Sequence, residues 1–210
     1  MSRIEIVPLQ ANMGRHAARL LSEAFRDNPG SIAILSGITS EKREEKLRTL
    51  YSGVVDACIA YGVANAVMCD DDLAGISLAY SPGSYPLSLL AWLRSGIGAA
   101  FIGPRYTWRC AIFDSHIRKK HITVRHWYLY VLGVAPSFQG RGYVGKLLRR
   151  LSEHADREGV PCYLETDKPE NVSMYQNFGY EILDEESIEE LDNVRLWYMM
   201  RPSAEKGEHS

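Results

Sequence analysis

Hydrophobic and polar positions follow two periods along the chain, and these periods predict an order of strands and helices. Strict alternation from Arg3 to Pro8 predicts an opening strand. Two stretches then have apolar residues at helical spacing. The first follows Asn12, which is expected to cap the first helix, and the second follows Thr39-Ser40. The first apolar stripe consists of Met13, Ala17, Leu20, Leu21, Ala24 and Phe25, and the second of Leu47, Leu50, Tyr51, Val54, Val55, Cys58 and Ile59. Each stripe indicates a helix with one face on a core.

A hairpin is predicted next, because two short apolar runs at residues 62–69 and 73–80 flank Asp70-Asp71-Asp72. We interpret the three aspartates as a solvated turn. A metal site is the less favoured interpretation, since no further ligand pattern surrounds them.

The second half of the chain contains the clearest strand, from His126 to Val134, which is aromatic or aliphatic almost throughout. Such a run is typical of a central strand covered on both faces. A helix follows with Val144, Leu147, Leu148, Leu151 and Ala155 expected to face inward, and it ends at Gly159. The pattern then predicts a strand at 162–166, a short helix at 172–177, and strands at 180–183 and 194–200.

Composition predicts one globular domain at residues 1–201 with a disordered tail at 202–210. Of 210 residues, 46% are hydrophobic and 24% charged, which excludes a collagen-like chain or a disulfide mini-protein. The run from Leu87 to Gly103 is interrupted by polar residues and is interpreted as buried rather than as a membrane span. Free thiols, and hence a cytoplasmic location, are expected for the four widely spaced cysteines, Cys58, Cys69, Cys110 and Cys162.

The formal net charge of −2 gives no global reason to expect nucleic-acid binding. This near balance conceals a basic segment, residues 84–125, with seven cationic side chains, one acid and six aromatic residues. Residues 165–192, by contrast, contain ten acids and one lysine. We interpret the basic segment as a helical face and pocket wall that faces an anionic coenzyme or acidic acceptor, and the acidic segment as attractive to an amine. Nucleic acid is the less favoured ligand.

A glycine-rich turn at residues 139–146 feeds the predicted helix, an arrangement that binds phosphate through backbone N–H groups and the helix dipole. Gly140, Gly142 and Gly145 match the dinucleotide fingerprint, and Glu165 lies where a ribose-binding acid is found. That match is weak, because residues 136–139 separate the turn from its strand and too little chain follows. A nucleotide P-loop is excluded because Leu147 replaces the hydroxyl residue that binds magnesium.

The third ligand class is acyl-coenzyme A. Gln139, Gly140, Arg141 and Gly142 resemble the acetyl-CoA signature of the GNAT N-acetyltransferases, Q/R-x-x-G-x-G/A, with Val144 at the position where Gly or Ala is usual. Residues 163–166 (Tyr-Leu-Glu-Thr) and 171–180 (Asn-Val-Ser-Met-Tyr-Gln-Asn-Phe-Gly-Tyr) are similar to the end of the family's domain, most of all to the branch containing puromycin acetyltransferase.

The resemblance implies a single α/β domain with a mixed, largely antiparallel sheet flanked by helices, and residues 84–125 as an acceptor-side insertion. It implies acetyl transfer from acetyl-CoA to a primary amine of a small molecule by direct attack, without metal, nucleic acid or membrane, by a monomer or homodimer. The implied coenzyme-binding residues are Leu132, Gly133, Val134, Gln139, Gly140, Arg141, Gly142, Tyr143, Val144, Gly145, Lys146 and Asn171. Lys168 occupies a second position where the family usually has Asn.

Two residues are the catalytic candidates. The resemblance places Tyr175 at the coenzyme sulfur as the acid, and Glu165, a carboxylate in an otherwise apolar strand, is the candidate base. A packed tyrosine is the alternative for Tyr175, and an ordinary salt bridge or hydrogen bond is the alternative for Glu165. His121 and His126 are fallback bases. Two other functions stay open: a non-catalytic acyl-CoA-binding protein, because of Val144 and Lys168, and a dinucleotide-binding oxidoreductase.

Overall fold

A computed structural model describes residues 2–87 and 102–204. The strands are β1 (Ile4–Pro8), β2 (Val63–Cys69), β3 (Asp72–Tyr80), β4 (Trp127–Val134), β5 (Cys162–Thr166), β6 (Glu181–Ile188) and β7 (Val194–Arg201). The helices are α1 (Gly14–Phe25), α2 (Pro29–Ile34), α3 (Ser40–Tyr61), α4 (Pro104–Lys120), α5 (Tyr143–Glu158) and α6 (Pro169–Gln176). Short 3-10 turns occupy Ala11–Met13, Pro136–Phe138 and Glu189–Leu191.

The strands form one sheet in the order β1-β2-β3-β4-β5-β7-β6. Neighbouring strands are antiparallel except β4 and β5, which are parallel. The predicted mixed, largely antiparallel α/β architecture is therefore confirmed. The dinucleotide hypothesis is wrong at this level, because its fingerprint requires a doubly wound, mostly parallel sheet.

A gap between β4 and β5 is the main irregularity of the sheet. Only Trp127 and Tyr128 of β4 pair with β5, opposite Cys162 and Tyr163. Past this point β4 continues to Val134 without a partner on its β5 side. A bulge at Tyr130, between the registers Leu78–Val131 and Ala79–Leu129, lies on the β3 side of the same strand. The centre of the sheet therefore exposes strand edges to a ligand.

Helices cover both faces of the sheet. On one face, called face A, α5 and α6 pack on Trp127, Leu129 and Leu164. On the opposite face B, α1 and α3 cover β2 and β3, while α2 and α4 pack near Tyr128 and Tyr163. The residues of β4 and β5 around the gap thus alternate between the two faces of the sheet.

The predicted second helix and hairpin are confirmed. The helix, α3, begins at Ser40, and Thr39 caps it by accepting a hydrogen bond from the N–H of Lys42, a cap that was not predicted from the sequence. Asp70 and Asp71 form the β2–β3 turn, and Asp72 is the first residue of β3. Asn12 is not a cap: it lies inside a 3-10 turn, and Met13 precedes α1 without a side-chain bond. Strand β6 extends five residues beyond its prediction because β7 supplies a partner as far as Ile188. Part of the basic segment, residues 88–101, lies outside the described residues.

Candidate active site

The glycine-rich turn has the backbone shape of an anion site. Gly140 and Gly142 have φ of 75° and 78°, and Gly142 is the residue before α5. Nothing lies within 4 Å of the position that a Cβ would occupy at either glycine. Within the described chain, no carbonyl accepts a hydrogen bond from the N–H groups of residues 140–145. These donors, at the positive end of the helix dipole, are therefore free to bind an anion.

A cavity of about 290 Å³ opens beside this turn. It is lined by Val134, Phe138, Gln139, Gly140, Gly142, Tyr143, Val144 and Met174. Six of these eight residues are predicted coenzyme-binding residues. Met174 of α6 lines the same cavity, one residue before the catalytic candidate Tyr175.

Cationic side chains surround the start of α5 without acidic partners. Arg141 lies over the ring of Phe138 at 5.1 Å, and Lys146, Arg149 and Arg150 follow on the helix. In the parts of the chain that the structure describes, none of these four cations makes an ion pair with a carboxylate. A phosphate-bearing ligand would supply the missing charge.

Two of the predicted glycines are required by packing. A Cβ at Gly133 would lie 2.7 Å from Leu21 of α1, so this glycine lets α1 approach β4. A Cβ at Gly145 would lie 2.9 Å from the ring of Phe178. The glycine one position beyond the usual Gly or Ala is therefore a helix-packing residue. Val144, at the usual position, is partly buried and its side chain lines the cavity.

The remaining coenzyme candidates lie around the end of β4 and the start of α6. The side-chain amide of Gln139 donates to the carbonyl of Val134 at 3.3 Å and closes the turn. Leu132 lies on the unpaired edge of β4. Asn171 is not the cap of α6, which begins after Lys168, and its amide donates to Thr166 at 3.2 Å. This bond ties α6 to the end of β5.

Tyr175 is buried on face A, with its ring 5.6 Å from that of Tyr180. Burial raises the pKa of the Tyr175 phenol, and the nearby Asp167 raises it further. No side chain of residues 2–87 or 102–204 forms a hydrogen bond with its hydroxyl. The phenol therefore stays protonated at neutral pH and is able to donate a proton.

Glu165 lies on face B, two residues beyond the last β5 residue paired with β4. Its side chain is only 6% exposed. One carboxylate oxygen, Oε2, accepts the hydroxyl of Tyr128 at 2.7 Å, while Oε1 has no hydrogen bond and lies 3.6 Å from Nδ1 of His121. Burial, followed by the charge of Glu165, raises the pKa of Tyr128, which keeps that phenol a donor.

The two catalytic candidates lie on opposite faces of the sheet. Tyr175 belongs to the core with α5 and α6, whereas Glu165 and His121 belong to the side with α4. The strands between these two faces, β4 and β5, pair only at Trp127 and Tyr128, opposite Cys162 and Tyr163. A ligand that entered between the unpaired parts of these strands would lie between the two faces.

Sequence reasoning missed Asp167 and Tyr128. Oδ2 of Asp167 accepts the N–H of Gly30 at 2.6 Å, which ties the start of α2 to the end of β5. Burial raises the pKa of Asp167, and the bond from Gly30 opposes this rise. A charged residue directly after a buried strand was the available signal for Asp167. The contact of Tyr128 with Glu165 depends on strand register, which no local pattern contains.

Part of the basic segment is paired with acids of the acidic segment. Arg109 pairs with Asp192 and Lys120 with Asp184, each at 2.7 Å. These two pairs join α4 to residues 184–192, a contact that the sequence did not predict. Among the described residues, Arg141 and Lys146, both predicted coenzyme-binding residues, make no ion pair with a carboxylate.

Neither a metal cluster nor a membrane-spanning helix occurs in the described ranges. No group of three or more His, Cys, Asp or Glu side chains could hold a metal ion there. No helix among these residues is long and apolar enough to cross a membrane.

Comparisons with known proteins agree with this geometry. A model of the acetyltransferase (GNAT) family matches residues 87–180. An uncharacterized N-acetyltransferase of Schizosaccharomyces pombe is 31% identical over 182 residues, covering 82% of this chain and 72% of that protein.

Among solved structures, a Corynebacterium glutamicum protein described as histone acetyltransferase HPA2 and related acetyltransferase has a TM-score of 0.70 at 21% identity, with 99% of both chains covered. A PaiA N-acetyltransferase from Thermoplasma acidophilum in complex with coenzyme A has a TM-score of 0.57 at 13% identity, covering 95% of this chain and 99% of that one. These two likenesses concern the fold. From the family model and the S. pombe relative, we conclude that the chain belongs to the GNAT family of acetyltransferases.

Proposed function

We propose that this chain transfers an acetyl group from acetyl-CoA to a primary amine of a small molecule by direct attack. The observation that carries the proposal is the turn at residues 140–145, whose free N–H groups border a cavity lined in part by Val134, at the end of β4 that has no β5 partner. Arg141 and Lys146, which make no ion pair with a described carboxylate, lie in and just after this turn. Acetyl-CoA supplies an activated acetyl thioester when bound. The buried carboxylate of Glu165 on face B supports acceptance of a cation such as an ammonium group.

The free donors of the turn and the unpaired edge of β4 indicate which residues would hold the coenzyme. Free N–H groups from Gly140 to Gly145 are proposed to bind the pyrophosphate, with Arg141 or Lys146 adding charge. The unpaired edge of β4 at residues 132–134 is proposed to pair with the pantetheine arm. Asn171 is proposed to contact the coenzyme through its carbonyl oxygen, since its amide is engaged with Thr166.

The proposed chemistry assigns one proton transfer to each face. An ammonium ion has no free electron pair, so it must lose a proton before it reacts, and Glu165 on face B takes that proton. On face A, the neutral phenol of Tyr175 donates a proton to the leaving thiolate. Tyr128 holds Glu165 in place through its 2.7 Å bond.

The acceptor is proposed to be partly apolar. Rings of Tyr80, Tyr85, Tyr128 and Tyr163 surround Glu165 and His121 on face B. The puromycin acetyltransferase branch, with its small-molecule amine substrate, is the branch that the sequence most resembles. A cytoplasmic monomer or homodimer, acting without nucleic acid or membrane, completes the proposal. It agrees with free cysteines at all four positions.

Coenzyme binding is the first test. In a thermal-shift screen with acetyl-CoA, NAD, NADP and ATP, acetyl-CoA at one hundred times its Kd should add about 2.7 kcal/mol of stability. Stabilisation by a nicotinamide nucleotide alone would overturn the proposal. Binding of acetyl-CoA without acetylation of any amine in a broad panel would identify a non-catalytic acyl-CoA-binding protein instead.

A further inference from the structure

Unpaired polar atoms meet beside Glu165. Both ring nitrogens of His121 and the Oε1 oxygen of Glu165 are buried without a hydrogen bond. Nδ1 of His121 lies 3.6 Å from that oxygen, within ion-pair distance but longer than a hydrogen bond. Buried polar atoms without partners are costly, so their convergence on one point indicates a group that transfers or receives protons there.

Packing fixes the orientation of His121. Its ring centroid lies 5.1 Å from that of Tyr85, 4.8 Å from Tyr128 and 4.9 Å from Tyr163, the last two in edge-on contacts. Aromatic neighbours on three sides leave the imidazole few alternative positions. Its Nδ1 is therefore held towards Glu165.

A second histidine continues from His121 towards solvent. The rings of His121 and His126 are 4.9 Å apart, and His126 is partly exposed. Nδ1 of His126 lies 2.6 Å from the carbonyl of Val124, so the proton of its neutral ring resides on Nδ1 and Nε2 is the acceptor. Burial, with a smaller contribution from His121, lowers the pKa of His126. His126 is thus neutral near pH 7 and releases readily any proton that it receives.

The proposed reaction releases a proton, which must reach solvent from the buried Glu165. After Glu165 has taken one proton, the amine nitrogen bonds to the acetyl carbonyl carbon and the carbon–sulfur bond breaks. The thiolate takes up the proton of Tyr175, and the second proton that the nitrogen loses restores the neutral tyrosine. An ammonium ion and an acetyl thioester thus become an amide, a free thiol and one surplus proton. Because Glu165 is only 6% exposed, it cannot pass that proton directly to bulk water.

We propose that His121 takes this proton from Glu165 and passes it through His126 to solvent. The inference rests on the proposed acetyl transfer to an amine. Tyr128 fixes the opposite oxygen of the carboxylate, so Oε1 is the atom that hands over the proton. His121 is by this account a catalytic partner of Glu165 that regenerates the base in each turnover.

The ring of His121 is enclosed by aromatic rings, one acid and a second histidine. These groups come from the segment after β3, from both central strands and from the turn before β4, and they are Tyr85, Tyr128, Tyr163, Glu165 and His126. Glu165 is the one acid in direct contact with the ring among the residues that the structure describes.

Nuclear magnetic resonance tests the pair without any substrate. At fixed pH, the imidazole resonances of His121 should shift in Glu165→Gln, because the carboxylate oxygen lies 3.6 Å from Nδ1 and the variant removes its charge. His154 stacks on Trp127 on face A and serves as the internal reference whose resonances stay fixed. Unchanged resonances of His121 would overturn the pairing whether or not the proposed function is correct.

Kinetics test the path itself. In His121→Gln, kcat at pH 7 should fall roughly tenfold to a hundredfold with KM for acetyl-CoA unchanged, and the acid limb of the pH profile of kcat should move. Added imidazole should restore part of the rate in His121→Gln and in His126→Gln, since a soluble base replaces the missing one. The matched control, His154→Gln, should keep the wild-type rate and profile.

The outcomes separate the two proposals. A wild-type protein that acetylates no amine refutes the proposed function, and the path with it. A wild-type protein that acetylates amines while His121→Gln keeps the same kcat and pH profile refutes the path alone. A rate loss in His121→Gln that imidazole does not restore, with an unmoved acid limb, shows a packing role and overturns the inference.

Discussion

Glu165 has two oxygens with different surroundings. Oε2 is occupied by the hydroxyl of Tyr128, whereas Oε1 is buried without a hydrogen bond. A carboxylate held at one oxygen keeps a fixed orientation, and the other oxygen remains available for a ligand. This asymmetry, rather than burial alone, is what suits Glu165 to act as a base at a defined position.

Substitution of Glu165 by Gln should lower kcat roughly a hundredfold or more, because the amide keeps the shape and the Tyr128 contact but cannot take a proton. Acetyl-CoA binding, measured by calorimetry, should be unchanged. Glu158→Gln is the matched control, since Glu158 likewise accepts a bond from a strand aromatic, Trp127 at 3.2 Å, but on face A. Equal rates for the two variants would contradict the role of Glu165.

Tyr175→Phe removes only the hydroxyl of a buried ring. We expect kcat to fall roughly tenfold or more while the Kd of acetyl-CoA stays constant, because a proton donor to the thiolate is lost and no described hydrogen bond is broken. Tyr180→Phe, a buried tyrosine 5.6 Å away, provides the comparison and should retain its activity. Steady-state thiol release measures both variants, and wild-type turnover by Tyr175→Phe would exclude the tyrosine as the acid.

At the scale of elements, α5 is flanked by two glycines whose backbones lie in the left-handed region. Gly142 precedes the helix with φ 78°, and Gly159 follows it with φ 67°. At neither glycine does an atom lie within 4 Å of the place that a Cβ would take. A side chain at either position would therefore be unfavourable only because of the left-handed backbone conformation, and not because of a clash. The two glycines differ in location, because only Gly142 lies at the cavity.

This difference separates a structural from a binding role. Gly142→Ala and Gly159→Ala should each lose about 1 kcal/mol in the free energy of unfolding, since each places Ala in the left-handed region. Only Gly142→Ala should weaken acetyl-CoA binding as well. Urea unfolding and calorimetry on both variants check the pair, and equal coenzyme affinities would show that the turn does not hold the coenzyme.

The order of strands and helices was predictable from the sequence, because the spacing of apolar residues and the residues of turns are local features of the chain. The helix inside residues 143–158 and the central strand from Trp127 follow from such stripes. The β4–β5 gap and the bulge at Tyr130 were not predictable, since both depend on which strands pair and in what register. For the same reason, the sequence did not predict that Tyr175 and Glu165 lie on opposite faces of the sheet.

At the scale of the whole molecule, ion pairs join segments that are far apart in the sequence. The basic and acidic segments seen in the sequence meet as α4 and β6, through pairs such as Lys120–Asp184 at 2.7 Å. The sequence contained both segments, but their mutual neutralisation is a tertiary property that composition does not reveal. Among the described residues, four cations in and after the glycine turn, Arg141, Lys146, Arg149 and Arg150, make no ion pair with a carboxylate, and a phosphate-bearing ligand would balance their charge.

Asp156 and Arg201 join α5 to the last strand through two bonds of 2.8 and 2.9 Å. The bonds from Arg201 hold the pKa of Asp156 below its usual range. A lowered folded-state pKa stabilises the protein above the unfolded value of about 3.9 and loses this stabilisation as the pH falls through the folded value.

Asp156→Asn should therefore cost about 2 kcal/mol at pH 7. The difference from wild type should narrow as the pH falls below about 4, where Asp156 of the wild type becomes protonated. Urea unfolding of both proteins across this range tests the sign. A difference that does not change with pH would show that the pair contributes by packing alone.

The central claim is acetyl transfer through the β4–β5 gap, and the most direct measurement counts both products of one reaction. Purified protein, acetyl-CoA and a panel of primary amines should yield free thiol and N-acetylated amine in equal amounts, determined by thiol titration and mass spectrometry. Thiol release without acetylated amine, or tight acetyl-CoA binding with neither product for any amine, would contradict the account.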